Sequence, residues 1–311
     1  MKVLVLGGYG AVGAHVVEGL RARGHDVSSA GRDASRADIE LDLRGPRTTY
    51  RDVIRDFDLV ANASGMENPA LAVTATDQGV AFVDATATSD YVAAVERVSH
   101  HAPVLVSVGL APGLTNLLAT DLAAGGSDRR SIDIAIVLGA GDEHGRAATA
   151  WSLGLLGASF ADPASGAHVR NFTHGTRFDI PSLGRRQLVR TDFSDQHALT
   201  RDLGLPVRTY FGLDSRVATA ALRVLTRIPG ASRLRIPDGV HPPGSDRWVV
   251  MARADDGSAR WAWGRDQSRA TGIVTVEAVE RATDLAPGVH HVHQVMELSD
   301  FQEEQAFGFG P

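Results

Sequence analysis

The chain predicts an α/β protein: a Rossmann-type, doubly wound parallel sheet followed by a second α+β domain built on a mixed or antiparallel sheet. Three observations predict it. From Met1 to about Asn116, short β-branched runs alternate with helix-period segments, the pattern of successive βαβ units. A Gly-x-Gly-x-x-Gly run, Gly8-Tyr9-Gly10-Ala11-Val12-Gly13, closes the first strand and opens the first helix. A Gly/Ser/Asp break over residues 125–128 then precedes a region of several longer strand-like runs.

Strands are expected over residues 2–6, 27–30, 59–63, 81–84 and 104–108. Helices over 11–23, 48–56, 69–79 and 90–100 fill the gaps. Crossovers of that length join parallel strands, and such sheets bind ligands at their carboxyl ends. Beyond Gly113 come a helix over 117–123 and a strand over 132–138. Further strands are expected over 186–191 and 207–213. The runs 247–254 and 259–263 flank Asp255-Asp256-Gly257 and read as a hairpin by its turn chemistry. Helices over 146–156, 195–203 and 215–226 separate these strands. The tail carries a helix over 275–285 and then Ala286-Pro287-Gly288. The expected division is a first domain over 1–125, a second over 126–272, and a segment over 273–311 that returns to the first. No internal repeat or low-complexity tract interrupts the pattern.

Composition removes several classes of function. Thirty-one basic against 37 acidic residues give a net charge of -6, which leaves no electrostatic footprint for nucleic acid or an anionic membrane. The expected partner is a small molecule. Cysteine is absent, so disulfides, thiolate nucleophiles and sulfur-bound metal sites are excluded. Lys2 is the one lysine, which excludes Schiff-base chemistry and the Tyr-x-x-x-Lys pair of short-chain dehydrogenases. No Gly-x-Ser-x-Gly elbow and no Walker-type lysine supports a hydrolase or phosphotransferase. With no charged-then-apolar leader and no apolar stretch of about 18 residues, the expected location is cytoplasmic.

The glycine run has a specific physical reading. Gly8 permits a tight turn, Gly10 lets backbone approach a pyrophosphate, and Gly13 allows close strand-helix packing, while the helix amides turn their positive end to the phosphates. Tyr9, Ala11 and Val12 complete the loop. About 20 residues on, an NAD site places Asp or Glu at the end of the second strand. Here the strand ends Ala30-Gly31-Arg32-Asp33. The acidic position is vacant and Arg32 suits a 2′-phosphate, so NADP(H) is expected, with Asp33 turned away as a cap. Asp42 is a candidate adenine contact, and Ala63, Ser64 and Gly65 end a strand beside the expected nicotinamide ribose; a surface loop and a turn are the alternatives.

The residues Gly7 to Gly13, the pair Gly31-Arg32, Asp84-Ala85-Thr86, and Gly109-Leu110-Ala111-Pro112-Gly113-Leu114-Thr115-Asn116 together resemble the saccharopine dehydrogenase-like (saccharopine reductase-type) oxidoreductases. The resemblance covers roughly the first 125 residues, and Pro287-Gly288-Val289 resembles the segment that returns to the cofactor domain. It implies an NAD(P)-dependent enzyme, often a homodimer, that acts on the C–N bond of an amino-acid-derived imine or amine. Enoyl reductases of lipid pathways belong to the same family. It also implies that Thr86, Gly109 and Pro112 lie near the cofactor. Ala111 stands where saccharopine-forming members commonly carry an acidic residue.

The densest polar run of the second domain is Gly139-Ala140-Gly141-Asp142-Glu143-His144-Gly145-Arg146. His144 has the intrinsic pKa of a general acid at neutral pH, and Tyr91, after the fourth strand, is the other candidate proton donor. Asp142 and Glu143 either bind substrate or cap the following helix. Arg146 either meets a substrate carboxylate or makes a surface ion pair, and Trp151 either walls a pocket or fills the core. Asp195-Gln196-His197 reads as a helix start. His290-His291-x-His293 lacks a further ligand at a recognisable spacing, so no metal is expected. The whole reads as an NADP(H)-dependent oxidoreductase that reduces a C=N bond, with enoyl or carbonyl reduction, or a non-catalytic NADP(H) sensor, as alternatives.

Overall fold

The computed structural model describes residues 1–126, 128–141, 151–234 and 244–311. They form two compact units: Met1–Gly113 with Ser268–Met296, and Leu114–Gln267 with Glu297–Pro311.

The first unit is built on a parallel sheet of β1 (Lys2–Leu6), β2 (Asp26–Gly31), β3 (Ile39–Glu40), β4 (Leu59–Asn62), β5 (Ala81–Asp84), β6 (Pro103–Val106) and β15 (Gly288–His291). Their order is β15-β6-β5-β4-β1-β2-β3. Six of them therefore follow the Rossmann order, and β15 extends the edge by pairing parallel to β6. The chain reverses its direction of growth between β1 and β4, so a crevice opens beyond the carboxyl ends of these two strands. The crossovers are α1 (Ala11–Ala22), α2 (Arg47–Ile54), α3 (Pro69–Thr76) and α4 (Ser89–Glu96). Asn68 starts α3: its Oδ1 accepts from the Ala70 amide at 3.1 Å, and Pro69 supplies a first helical residue that needs no donor. Leu4, Leu6, Val60, Phe82 and Val104 are wholly buried in the core. A parallel sheet covered on both faces requires such unbroken apolar strands.

The second unit contains β7 (Ile132–Leu138), β10 (Thr173–Ile180), β11 (Gly184–Arg190), β12 (Val207–Leu213), β13 (Arg247–Ala254), β14 (Ala259–Arg265) and β16 (Phe307–Gly310) in one mixed sheet, order β10-β11-β12-β7-β13-β14-β16. Only β12 and β7 pair parallel within it. A separate small hairpin joins β8 (Ser159–Ala161) to β9 (His168–Arg170). Helices α5 (Thr115–Ala124) and α6 (Ser194–Leu203) pack on the large sheet, and α7 (Arg216–Leu225) follows β12. The sheet curls. Arg253 of β13 lies 4.2 Å from the Phe178 ring of β10, four strands away, where a flat sheet would separate them by about 19 Å.

Two outcomes differ from the sequence reading. The segment 273–311 does not act as one piece: helix α8 (Gln267–Ala282) and β15 belong with the first unit, whereas β16 pairs with β14 in the second sheet. The reason lies in Phe307-Gly308-Phe309-Gly310. Gly308 and Gly310 stand opposite Trp263 and Trp261, and a Cβ on either glycine would fall 2.6 and 2.1 Å from an indole. The alternation of glycine opposes the alternation of tryptophan and lets the rings lie over the neighbouring backbone. Helix α8 also begins eight residues earlier than the expected residue 275. Its Glu277 accepts from Arg23, the residue that ends α1, at 2.8 Å, within the first unit.

Among the described residues no helix is long and apolar enough to cross a membrane.

Candidate functional site

The glycine loop sits at the carboxyl end of β1, beside the point where the strand order reverses. Gly7 has φ +74, and its amide is bonded to the Ala30 carbonyl at 2.8 Å. The loop is tight on every side. A Cβ at Gly8 would lie 2.5 Å from Ser29 Cβ, one at Gly10 3.1 Å from the Gly7 carbonyl oxygen, and one at Gly13 2.1 Å from that same oxygen. Gly10 is the N-cap of α1 and offers no side chain to its first turn. The amides of Ala11, Val12 and Gly13 have no partner inside the helix, so they face outward with the positive end of its dipole. The loops after β1 and β4 touch: a Cβ on Gly7 would fall 2.7 Å from Ser64 Cα.

At the end of β2, Arg32 is exposed, and among the described residues its guanidinium has no hydrogen bond or ion pair. Asp33 turns to its own loop, where its Oδ1 accepts from the Ser35 amide at 3.0 Å and the Ser35 hydroxyl at 2.6 Å. Those bonds hold its carboxyl below the usual range. Sequence reasoning missed a second cation here. Arg36 lies 4.5 Å from the Tyr9 ring centroid and donates to the Tyr9 carbonyl at 3.1 Å, bringing its charge to the glycine loop. The Tyr9 ring rests on Gly31, where a Cβ would fall 2.3 Å from it. A signal was present in the five-residue spacing from Gly31 to Arg36, but it belongs to no familiar motif. Asp42 accepts from the Arg44 amide at 3.0 Å, closing its own turn.

The carboxyl ends of β4 and β5 carry a buried polar network. Asn62 Oδ1 accepts from the Ser64 hydroxyl at 2.6 Å, and its Nδ2 donates to Asp84 Oδ2 at 2.9 Å. The Tyr91 hydroxyl donates to the same Asp84 oxygen at 2.7 Å. Burial raises the Asp84 pKa, opposed by hydrogen bonds from Thr86, Asn62 and Tyr91. Burial raises Tyr91 too, and the adjoining Asp84 adds to it. Tyr91 is only 5% exposed, so its hydroxyl is turned into this network. Ala63 donates to the Leu6 carbonyl at 3.0 Å, Gly65 has φ +70, and Thr86 is buried. These residues thus line the strand ends next to the glycine loop.

Past β6, Ser107 adopts φ +59, a left-handed conformation that costs a non-glycine residue free energy. Its hydroxyl is 2.9 Å from His291 Nδ1, and His291 Nε2 is 2.8 Å from Glu96 Oε1. The chain Ser107–His291–Glu96 ties β15 and α4 to the loop that follows. In that loop Gly109 has φ +145, the Leu110 amide donates to Thr271 Oγ1 at 3.3 Å, and Pro112 is buried. His291 was weighed only as a metal ligand in the sequence; a serine and a glutamate far away in the chain gave no local signal. Among the described residues no group of three or more His, Asp or Glu is placed to hold a metal.

In the second unit, Asp142, Glu143, His144 and Arg146 lie outside the described residues. Trp151 is partly buried, and its ring centroid is 4.8 Å from that of Phe193. Its Nε1 is buried without a hydrogen-bond partner. Asp195 is fully buried and accepts from Thr115 at 2.9 Å and Thr209 at 2.6 Å, tying α6 to α5 and β12. Burial raises its pKa against those bonds. Arg190 is buried with Asp162 at 2.8 Å; although burial opposes it, hydrogen bonds from Arg190 and Ser165 keep that carboxyl below its usual range. A 330 Å³ cleft against Lys2, Asp26 and Phe57 lies at the opposite ends of the strands from the glycine loop.

No protein-family model matches the chain, and no curated protein matches it. Solved structures resemble it distantly. The UDP-N-acetylglucosamine 4-epimerase from Bacillus cereus is 19% identical over 29% of this chain and 36% of its own, with a TM-score of 0.24. The oxidoreductase ylbE from Lactococcus lactis is 18% identical over 29% of this chain and 49% of its own, TM-score 0.25. This chain thus spans less than half the length of either. The WlbA dehydrogenase from Thermus thermophilus, solved with NAD and UDP-GlcNAcA, is 11% identical over 89% of this chain and 94% of its own, TM-score 0.41. At these values the likenesses assign no activity, and the Rossmann-like architecture rests on the strand order itself.

Proposed function

We propose that this chain is an NADP(H)-dependent oxidoreductase of the saccharopine dehydrogenase-like type, reducing the C=N bond of a small amino-acid-derived substrate. The observation that carries the reading is the glycine loop: Gly8 and Gly13 with no room for a Cβ and Gly10 with little, at the reversal point of a parallel sheet, ahead of unpaired helix amides. The residues present fit a dinucleotide. The amides of Ala11, Val12 and Gly13 would hold its pyrophosphate. Arg32, uncommitted at the end of β2, would pair with a 2′-phosphate, with Arg36 adding positive charge over Tyr9. Asp42 would lie toward the adenine, and Ala63, Ser64, Gly65, Thr86, Gly109 and Pro112 toward the nicotinamide end.

A bound nicotinamide supplies the hydride. What the chain supplies is position. Asn62 fixes the Ser64 hydroxyl, and Asp84 fixes Asn62, so the strand ends present a preset surface. Tyr91 holds Asp84 in this arrangement. In this reading His144, or Tyr91, would donate the proton, and Asp142, Glu143, Arg146 and Trp151 would bind the substrate. A homodimer in the cytoplasm completes the reading.

The test is a panel of keto acid and amine pairs, enones and ketones, each followed by the oxidation of NADPH. Turnover of the amine pairs alone supports C=N reduction. Turnover of enones or ketones alone replaces it with enoyl or carbonyl reduction, and NADPH binding without any turnover replaces it with a sensor.

A further inference from the structure

The second unit holds a polar cleft that the oxidoreductase reading does not use. Arg208 of β12, Asp133 of β7 and Arg253 of β13 are directly paired across three adjacent strands, forming one row on one face of the curled sheet. Tyr210 lies two residues along β12 and therefore on the same face. These four residues, with Asp255 and Ala254, line a cleft of 440 Å³. That volume is within the range of about 300–1,000 Å³ typical of small-ligand sites.

The charges in the cleft are not equally committed. Arg253 Nη2 donates to Asp133 at 3.2 Å, its Nη1 donates to the Arg177 carbonyl at 3.2 Å, and its guanidinium stacks on Phe178. Asp255 accepts from the Arg130 amide at 2.9 Å and from Arg130 Nε at 3.1 Å. Both aspartates are thus matched by an arginine. Arg208 is left over: it is half-buried, and among the described residues it has neither a hydrogen bond nor an ion pair. The Tyr210 hydroxyl is likewise without a partner there, while its ring is packed 5.3 Å from Phe178. A planar fork of donors beside a rigid phenol, with its neighbours neutralised, is an oxyanion receptor by chemistry and by residual charge.

We propose that this cleft binds the oxyanion of a small ligand, a carboxylate or a phosphate group, held by Arg208 and Tyr210. The site stands independently of dinucleotide binding in the first unit. Its test is an amide and arginine-side-chain ¹H–¹⁵N titration of the full chain with acetate, with inorganic phosphate and, as control, with chloride. The Arg208 Nε–Hε resonance is expected to shift saturably with acetate or phosphate and not with chloride. Saturation by acetate identifies a carboxylate site, and saturation by phosphate a phosphate site. Arg208→Gln is expected to weaken binding about 10-fold or more, and Tyr210→Phe, which keeps the ring packing, about 2- to 10-fold. Phosphate bound at the glycine loop would shift Gly10 instead and would persist in Arg208→Gln. The proposal is overturned if neither anion moves Arg208 saturably, or if both variants leave the shifts of Asp133 and Ala254 amides unchanged.

Discussion

Gly13→Ala is the substitution whose effect follows most directly from the geometry. The new methyl carbon would sit 2.1 Å from the Gly7 carbonyl oxygen, 2.8 Å from the Gly7 carbonyl carbon and 2.9 Å from Gly8 Cα. Ordinary contact begins at 3.4 Å, so the start of α1 and the end of β1 must part by more than 1 Å. The atoms met are backbone and cannot rotate away. Overpacking of a close-packed site costs about 1–3 kcal/mol, and the rigid neighbours here place the cost at the upper end. Alanine returns about 1 kcal/mol through its helix propensity. The net loss is about 2 kcal/mol, or a fall in melting temperature of about 4–8 °C. Moving the Ala11 to Gly13 amides off their positions should also weaken dinucleotide binding by about tenfold or more, equal to about 1.4 kcal/mol. Thermal unfolding and fluorescence titration with NADPH read the two effects. Gly154→Ala is the control, because nothing lies within 4 Å of its new Cβ, and it should be neutral or slightly stabilising. A Gly13→Ala protein that melts and binds like wild type would refute the packing argument.

Further substitutions test the neighbouring elements. Arg32→Ala should weaken NADPH binding by about 10- to 150-fold while leaving NADH unchanged, since one charge-assisted contact is worth about 1.5–3 kcal/mol; equal losses for both nucleotides would remove Arg32 from the 2′-phosphate. His291→Gln breaks the chain from Ser107 to Glu96 in a buried setting and should cost about 1–3 kcal/mol in urea unfolding, and an unchanged midpoint would show the chain to be without structural weight. Because burial raises the folded pKa of Asp84, its contribution to stability is full below the unfolded carboxylate pKa of about 3.9 and is lost as pH rises toward the folded value. Asp84→Asn should therefore remove the fall in stability that sets in above about pH 4, and parallel wild-type and variant profiles would contradict that origin.

The first unit was legible because β1, β4, β5 and β6 are short, largely apolar, fully or almost fully buried runs separated by helical segments. β1 and β5 have the expected ends, and β2, β4 and β6 differ from expectation by no more than two residues at each end. β7 and β12 were equally clear, since both are buried over most of their length. The hidden strands are of another kind. β10, Thr173–Ile180, turns only Phe178 and Ile180 into the core, so its polar sequence shows no run at all. β15 is four residues of Gly-Val-His-His, and it reads as a strand only once β6 is there to pair with it. β16 depends on two indoles more than forty residues earlier in the chain.

The site divides in the same way. Gly8, Gly10 and Gly13 were legible because strand, turn and helix are adjacent in sequence. Arg36 over Tyr9, Asp84 under Asn62, and the contact of Ser107 with His291 were not, because each joins residues separated by 22 to 184 positions. Side chains brought together by sheet order carry no local signature. Tyr91 shows the converse: its position after β5 was read from the sequence, but the direction of its hydroxyl toward Asp84 depends on burial that sequence does not display.

The most direct test of dinucleotide binding is fluorescence titration of the full chain with NADPH and, separately, NADH. Saturable one-site binding with NADPH favoured by about tenfold or more is the predicted result. Absence of saturable binding to either nucleotide would contradict the role given to the glycine loop, and preference for NADH would contradict the role given to Arg32.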